Sequence, residues 1–263
     1  MNLHLTDRVA AVAGGSAGLG FATALTLAQE GCRVAICART PARLTAAAER
    51  IRTETGVEVL ALPFDMADLA APAAFVEASA AHFGRLDIVV ANAGGPPSGP
   101  FTAMSDEQWL GAIQQNLLAT ARMFRAALPW VTASDQGRLI AITSISARQP
   151  LDNMVLSNTA RAGVHALVKT LSKELAKGSA TANLVCPGLT RTDRILELAQ
   201  QAANREGITV DAALARQAAG VPMGRLGDPM DFGAAVAYLC GKQANFISGS
   251  ALYVDGAALS ALP

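Results

Sequence analysis

Eight residues near the N-terminus, Ala13-Gly14-Gly15-Ser16-Ala17-Gly18-Leu19-Gly20, have the types and spacing to bind an anion. Glycines let a backbone approach a pyrophosphate closely, and a helix opening behind them points free N–H groups at it. Glycine turns of this spacing occur by chance. This one gains weight from lying between an apolar β-type run and an Ala/Leu-rich helical stretch. In a dinucleotide site the second strand ends at the adenosine ribose, about 20 residues further on. There the chain reads Cys37-Ala38-Arg39, with no acid to take the two ribose hydroxyls. Arg39 offers a cationic fork suited to a 2′-phosphate, so the chemistry favours NADP over NAD. Asp65, after the third apolar run, is placed either to accept from an adenine amino group or to cap a helix. Met66 beside it is a further candidate contact.

Such a site needs a parallel sheet to hold it. Apolar β-type runs occur at Val9–Ala13, Arg33–Cys37, Val57–Leu62, Ile88–Ala91, Leu139–Thr143, Asn183–Cys186 and Ala251–Val254. Helical spacing fills Phe21–Glu30, Pro41–Thr55, Ala70–Phe83, Asp106–Thr132, Asn158–Lys177 and Asp228–Leu239. The alternation predicts an α/β fold: a Rossmann-type, doubly wound sheet of about seven parallel strands with helices on both faces. No Pro/Ser-rich linker interrupts residues 1–263, which read as a single domain. One segment breaks the rhythm. From Thr192 to Gly227, two helical patches flank Gly207 with no strand between them. An insertion of this size after a strand end predicts a lid over a site, or a packing appendage.

Composition narrows the partners. Of 263 residues, 51% are hydrophobic and 16% charged, and Lys+Arg equals Asp+Glu at 21 each. That balance argues against nucleic acid as a partner and against disorder. The uncharged run Val9–Gln29 is long enough for a membrane span. Its central glycines make strand, turn and helix the better reading, so no membrane association is expected. Asp7 and Arg8 interrupt the apolar start, so no secretory leader is read. Cys32, Cys37, Cys186 and Cys240 form no C-x-x-C pair, and the three histidines are scattered. No metal site is expected, and the thiols fit buried positions in a reducing cytoplasm. Zero net charge with a mean hydropathy of +0.31 suits a surface hidden in a homo-oligomer.

Four further segments complete a pattern. Ala91-Asn92-Ala93-Gly94 ends the fourth apolar run, and Asn116 lies in the long helix after it. Ser144 ends the fifth run, and Pro187-Gly188-Leu189-Thr190-Arg191-Thr192 ends the sixth. With the glycine turn, their order and spacing resemble the short-chain dehydrogenase/reductase family, over nearly the whole chain and as far as Val254-Asp255-Gly256. Within it, the sequence is most similar to members of the 3-oxoacyl-[acyl-carrier-protein] reductase type. The resemblance implies that Gly14, Ser16, Gly18, Leu19 and Gly20 hold the pyrophosphate end. It implies that Asn92, Ala93 and Gly94 support the adenosine side. Pro187, Gly188 and Thr192 would meet the nicotinamide end, Asn116 would anchor a proton-relay water, and Ser144 would hydrogen-bond the substrate carbonyl. Ala13 and Ala91 stand where the family usually has a threonine and an asparagine, so two side-chain bonds that brace strand ends are lost.

The larger departure is at the family's catalytic pair, a tyrosine followed four residues later by a lysine. Here the frame holds Ser157 and Arg161. The only tyrosines, Tyr238 and Tyr253, lie far along the chain. A free phenol titrates near pH 10 and is lowered by a neighbouring cation, whereas a serine hydroxyl is far less acidic and shorter by a ring. Arg161 keeps its charge, can hold the nicotinamide ribose hydroxyls, and is a poor proton relay. The i, i+4 spacing sets the two on one helix face. Thr192-Asp193-Arg194 and Val221-Pro222-Met223-Gly224-Arg225 resemble a divergent subset of the family that also lacks the tyrosine. The resemblance implies an NADP(H)-dependent reductase of a carbonyl or enone in a small-molecule substrate, assembled as a dimer or tetramer. General acid catalysis contributes ~10²–10⁴-fold. Its loss leaves open water as the proton carrier, a reduction ending at carbon, or a non-catalytic NADP-binding homologue.

Overall fold

A computed structural model describes residues 1–261. Seven strands form one parallel sheet in the order β3-β2-β1-β4-β5-β6-β7. They are β1 Val9–Ala13, β2 Arg33–Cys37, β3 Val59–Leu62, β4 Ile88–Ala91, β5 Arg138–Ile142, β6 Thr181–Pro187 and β7 Ala251–Val254. The α/β class, the parallel sheet of seven and the two helical layers are as the sequence predicts. β1 and β4, at the middle of the sheet, are apolar at every position because both of their faces are covered. Alternate residues serve opposite layers. Ala10, Val12 and Ile36 meet Leu25, Leu44, Ile51 and Phe232 from α1 Gly18–Gln29, α2 Pro41–Thr55 and α9 Pro229–Cys240. Val9, Ala11 and Val89 meet Phe75, Phe124, Val131 and Val168 from α3 Ala71–Phe83, α5 Ala119–Ala133 and α6 Val155–Glu174.

The strand order reverses between β1 and β4, whose residues Ala10–Val12 pair with Ile88–Val90. In sheets of this kind the crevice beyond the carboxyl ends of those strands is where ligands sit. Three departures from the predicted elements bear on that crevice. Helix α1 starts at Gly18, not Phe21, so Gly18, Leu19 and Gly20 form its first turn. The predicted helix Asp106–Thr132 is broken: α4 Asp106–Ala112 passes through a π-helical segment, Ile113–Leu118, before α5. Its period is nearly continuous with the α-helices around it, so the sequence shows no break. Helix α6 begins at Val155, three residues early, which puts Ser157 in its first turn.

The 192–227 segment is a helical hairpin, α7 Asp193–Glu206 and α8 Val210–Ala219, turning at Gly207 in the left-handed region (φ 66°). Its apolar cluster of Ala199, Ala203 and Ala213 is separate from the two main cores. A Thr190–Gly227 bridge closes its base. The uncharged run Val9–Gln29 folds as β1, turn and α1, and no described helix is long and apolar enough to cross a membrane. At the opposite end of the sheet, Asp87 is buried with Arg8 and Arg85 as ion-pair partners.

Candidate active site

The crevice is a cavity of about 450 Å³. Its floor is the turn after β1. Gly14 has φ +62°, and a Cβ on Gly20 would lie 2.2 Å from the Gly14 carbonyl oxygen, so this turn admits no side chain there. Asn92, following β4, donates from Nδ2 to the carbonyl of Ala13 at 3.2 Å. That bond braces the two strand ends at the place where Ala13 and Ala91 lack the family's side chains. Helix α1 opens into the cavity with Ala17 as a capping residue that offers no side-chain bond, and no acid stands in its first turn. Its leading N–H groups are left for an anion.

Most predicted coenzyme contacts line this cavity. Gly14, Ser16, Gly18 and Leu19 form one wall, Asn92, Ala93 and Gly94 another, and Asp65 and Met66 a third. Arg39 also faces it and makes no hydrogen bond or ion pair with any described residue. Asp65 caps no helix: its Oδ1 accepts from the Ala67 N–H at 3.0 Å, within a turn that precedes α3. Thr192 lies opposite Gly18. Gly20, Pro187, Gly188 and Arg161 are not on the cavity wall. A Cβ on Gly188 would come within 2.7 Å of the Asp255 Cα, so that glycine admits the chain after β7.

Ser144, Ser157, Arg161 and Asn116 also lie outside the wall of this cavity. Ser144 follows β5, and its Oγ accepts from the Ser146 N–H at 3.1 Å. Ser157 and Arg161 share a face of α6, as their spacing predicts: Arg161 Nε donates to Ser157 Oγ at 3.2 Å. Arg161 is buried, and its Nη1 donates to the carbonyls of Thr143 at 2.9 Å and Ile142 at 3.4 Å. Nη2 has no partner among the described residues. Burial lowers the guanidinium to about 10, which leaves it charged at neutral pH.

Asn116 lies buried in the π segment. Its Nδ2 donates to the Ala112 carbonyl at 3.1 Å. Its own carbonyl accepts from the Thr120 hydroxyl at 2.7 Å and from the Ala119 N–H. Oδ1 and the second Nδ2 proton remain for a water.

The structure adds residues that the sequence reading passed over. Thr143 Oγ1 lies 3.0 Å from His165 Nε2 and 3.1 Å from Cys186 Sγ. Desolvation, then the charges of Arg161 and Arg148, hold His165 near 4, so the ring is neutral. Burial raises the Cys186 thiol to about 11. The signal was present: His165 is four residues beyond Arg161 on the same helical face. On the coenzyme side, Arg43, Asp193, Arg194 and Glu197 join the cavity wall. Arg43 lies four residues beyond Arg39, but its partner Asp193 is 150 residues away in sequence.

A family model described as Enoyl-(Acyl carrier protein) reductase matches residues 13–257. The 3-oxoacyl-[acyl-carrier-protein] reductase FabG of Escherichia coli is 31% identical over 254 residues, covering 97% of this chain and 98% of that protein. The L-sorbose reductase of Gluconobacter frateurii, solved with NADPH and L-sorbose, superposes with a TM-score of 0.96 at 31% identity, covering 100% of each chain. YwfH, an NADPH-dependent reductase involved in bacilysin biosynthesis, superposes with a TM-score of 0.91 at 26% identity, covering 98% of this chain and 100% of that one.

Proposed function

The chain belongs to the short-chain dehydrogenase/reductase family, and we propose that it is an NADP(H)-dependent reductase of a carbonyl or enone whose proton does not come from a side-chain acid. The observation that carries the coenzyme reading is a glycine-walled anion cradle with an unpartnered arginine, Arg39, at the end of β2. The N–H groups at the start of α1 fit the pyrophosphate. Arg39 fits the 2′-phosphate, and the absence of an acid beside it disfavours the unphosphorylated ribose. The NADPH-bound L-sorbose reductase and the NADPH-dependent YwfH support the same assignment. A bound nicotinamide coenzyme supplies the two reducing electrons.

Within this reading, Arg161 Nη2, the one nitrogen of that guanidinium without a partner among the described residues, would hold the nicotinamide ribose hydroxyls. Arg161 Nε occupies a lone pair of Ser157 Oγ, so the serine's own proton points elsewhere. Ser157 and Ser144 then act as hydroxyl donors to the substrate oxygen, polarising it as negative charge develops. Neither serine is acidic enough to release its proton outright. Arg161 spends Nη1 on backbone carbonyls and the Asn116 carbonyl already has two donors, so an inner proton route would run through a water held by the Asn116 side-chain amide. The proton then comes from a water, on the substrate side or on the Asn116 amide, or the reduction ends at carbon.

Exposed Leu110 (68%), Leu118 (38%) and Trp130 (37%) on α4–α5 support a homo-oligomer built through that face. The test of function is coenzyme oxidation against a panel of ketones, enones and acyl thioesters. Slow, substrate-dependent NADPH oxidation is expected. NADPH binding without oxidation by any member would favour a non-catalytic coenzyme-binding protein.

A further inference from the structure

We propose that Asp193 tunes the coenzyme specificity of the site by competing with the 2′-phosphate for Arg43, an inference that rests on the NADP reading above. Arg39 and Arg43 both face the cavity, at the end of β2 and in the first turn of α2. Arg39 has no partner, whereas Arg43 Nη2 donates to Asp193 Oδ2. Asp193 is the first residue of α7, so this ion pair spans from the coenzyme wall to the helical hairpin. The other ion pairs of α7 and α8, Arg194–Glu197, Arg205–Glu206 and Arg216–Glu206, are internal to the hairpin. Among the described residues, Arg43–Asp193 is therefore the hairpin's one ion-pair link to the rest of the protein. A second cavity is lined by Ser16, Gly18, Arg50 and the same Arg43 and Asp193, so the pair borders both spaces.

The energetics favour exchange. Both side chains are more than half exposed, at 57% and 58%. An ion pair that wet is worth at most about a fivefold factor in an equilibrium constant. A phosphate dianion offers the guanidinium two parallel charge-assisted bonds and more charge than a carboxylate. Asp193 is not stranded when Arg43 leaves, because it stands at the start of α7, where the helix dipole stabilises an anion. A coenzyme carrying the 2′-phosphate would draw Arg43 off Asp193 and free the N-terminus of the hairpin. A coenzyme lacking it would leave the pair in place.

The test uses the full chain with NADPH and NADH, titrated by calorimetry at physiological salt. Asp193→Asn should tighten NADPH about two- to fivefold, the factor expected for removing an exposed competitor, and leave NADH unchanged. Arg43→Gln should weaken NADPH selectively. In the Arg43→Gln background the gain from Asp193→Asn should vanish. Amide exchange in residues 193–206 should be faster with NADPH bound than with NADH. The proposal is overturned if Asp193→Asn shifts both coenzymes equally, loosens NADPH, or acts unchanged without Arg43, or if amide exchange does not distinguish the two complexes. If the unmodified protein fails to prefer NADPH over NADH, the coenzyme reading itself falls.

Discussion

Replacing Ser157 by alanine tests two roles at once, and the structure assigns each a magnitude. Ser157 is 3% exposed, and its Oγ receives the Arg161 Nε–H at 3.2 Å. Alanine leaves that buried donor without an acceptor, while Nη1 stays fixed on the carbonyls of Ile142 and Thr143. An orphaned buried donor costs about 1–3 kcal/mol. For a chain of this size that is on the order of 2–10 °C in Tm. If the hydroxyl also donates to the reacting oxygen, losing one such donor lowers kcat by about 10²–10³-fold, or ~2.7–4 kcal/mol of transition-state stabilisation. Scanning calorimetry measures the first and steady-state NADPH oxidation the second. Ser144→Ala is the control. Its Oγ bonds only the Ser146 N–H among the described residues, so the same loss of rate should come with about 1 kcal/mol of destabilisation. A fall in Tm with kcat/KM unchanged would refute the argument: Ser157 would then serve only to brace Arg161, and carbonyl polarisation would rest on Ser144 alone.

Combining Ser157→Tyr with Arg161→Lys should raise ketone reduction by ~10²–10⁴-fold, the usual contribution of a general acid; no gain over the unmodified protein would place the limitation elsewhere in the site. Gly20→Ala should cut NADPH affinity by at least about tenfold with the circular dichroism unchanged, since the new Cβ would displace the Gly14 carbonyl 2.2 Å away; retained affinity would show that this turn is not the cradle. Burial alone would raise the Asp87 carboxyl, but hydrogen bonds from Arg85, Ser134 and the Val9 N–H outweigh it, so its titration in the folded chain lies below the unfolded value. Its stabilisation is therefore present above about pH 4 and is lost as pH falls through the folded value. Urea unfolding should show Asp87→Asn about 1.5–3 kcal/mol less stable at pH 7, with the gap narrowing as pH falls through the folded value.

Strand positions were legible wherever apolar runs were short and bounded by turn residues. β1, β2, β4 and β7 fall where the pattern puts them, as does α2 between Pro41 and Gly56. The coenzyme side was legible for the same reason: a phosphate cradle is built from local sequence, here residues 13–20. What stayed hidden depends on contacts distant in sequence or on backbone geometry. The π segment reads Ile-Gln-Gln-Asn-Leu-Leu, which no period separates from an α-helix, yet it decides where the Asn116 amide turns. The Arg43–Asp193 pair joins residues 150 positions apart. The direction taken by Arg161 is set by two carbonyls at the end of β5, and a sequence gives the residue type at such a position without its partners.

That direction decides whether the departure at Ser157 and Arg161 is erosion or rewiring. An eroded site would leave the arginine swung into solvent or buried without acceptors, because nothing would have adjusted to it. A buried cation without partners is strongly unfavourable. Here Nε and Nη1 have three acceptors on two elements. The threonine whose carbonyl receives Arg161 is itself held through its hydroxyl by His165 and Cys186. His165 has to be neutral to sit so close to the guanidinium, and desolvation together with that charge keeps it so. Thr120 closes the Asn116 carbonyl on the other side of the site. Serine, arginine, threonine and histidine thus form one connected network with Arg161 Nη2 left open, in which changing a single member strands another. A network of this kind holds a fixed positive charge beside a hydroxyl at the place where the family otherwise keeps a phenol. Those are the requirements for polarising a substrate oxygen without donating a side-chain proton to it, and they favour a working reductase over a vestigial coenzyme-binding fold.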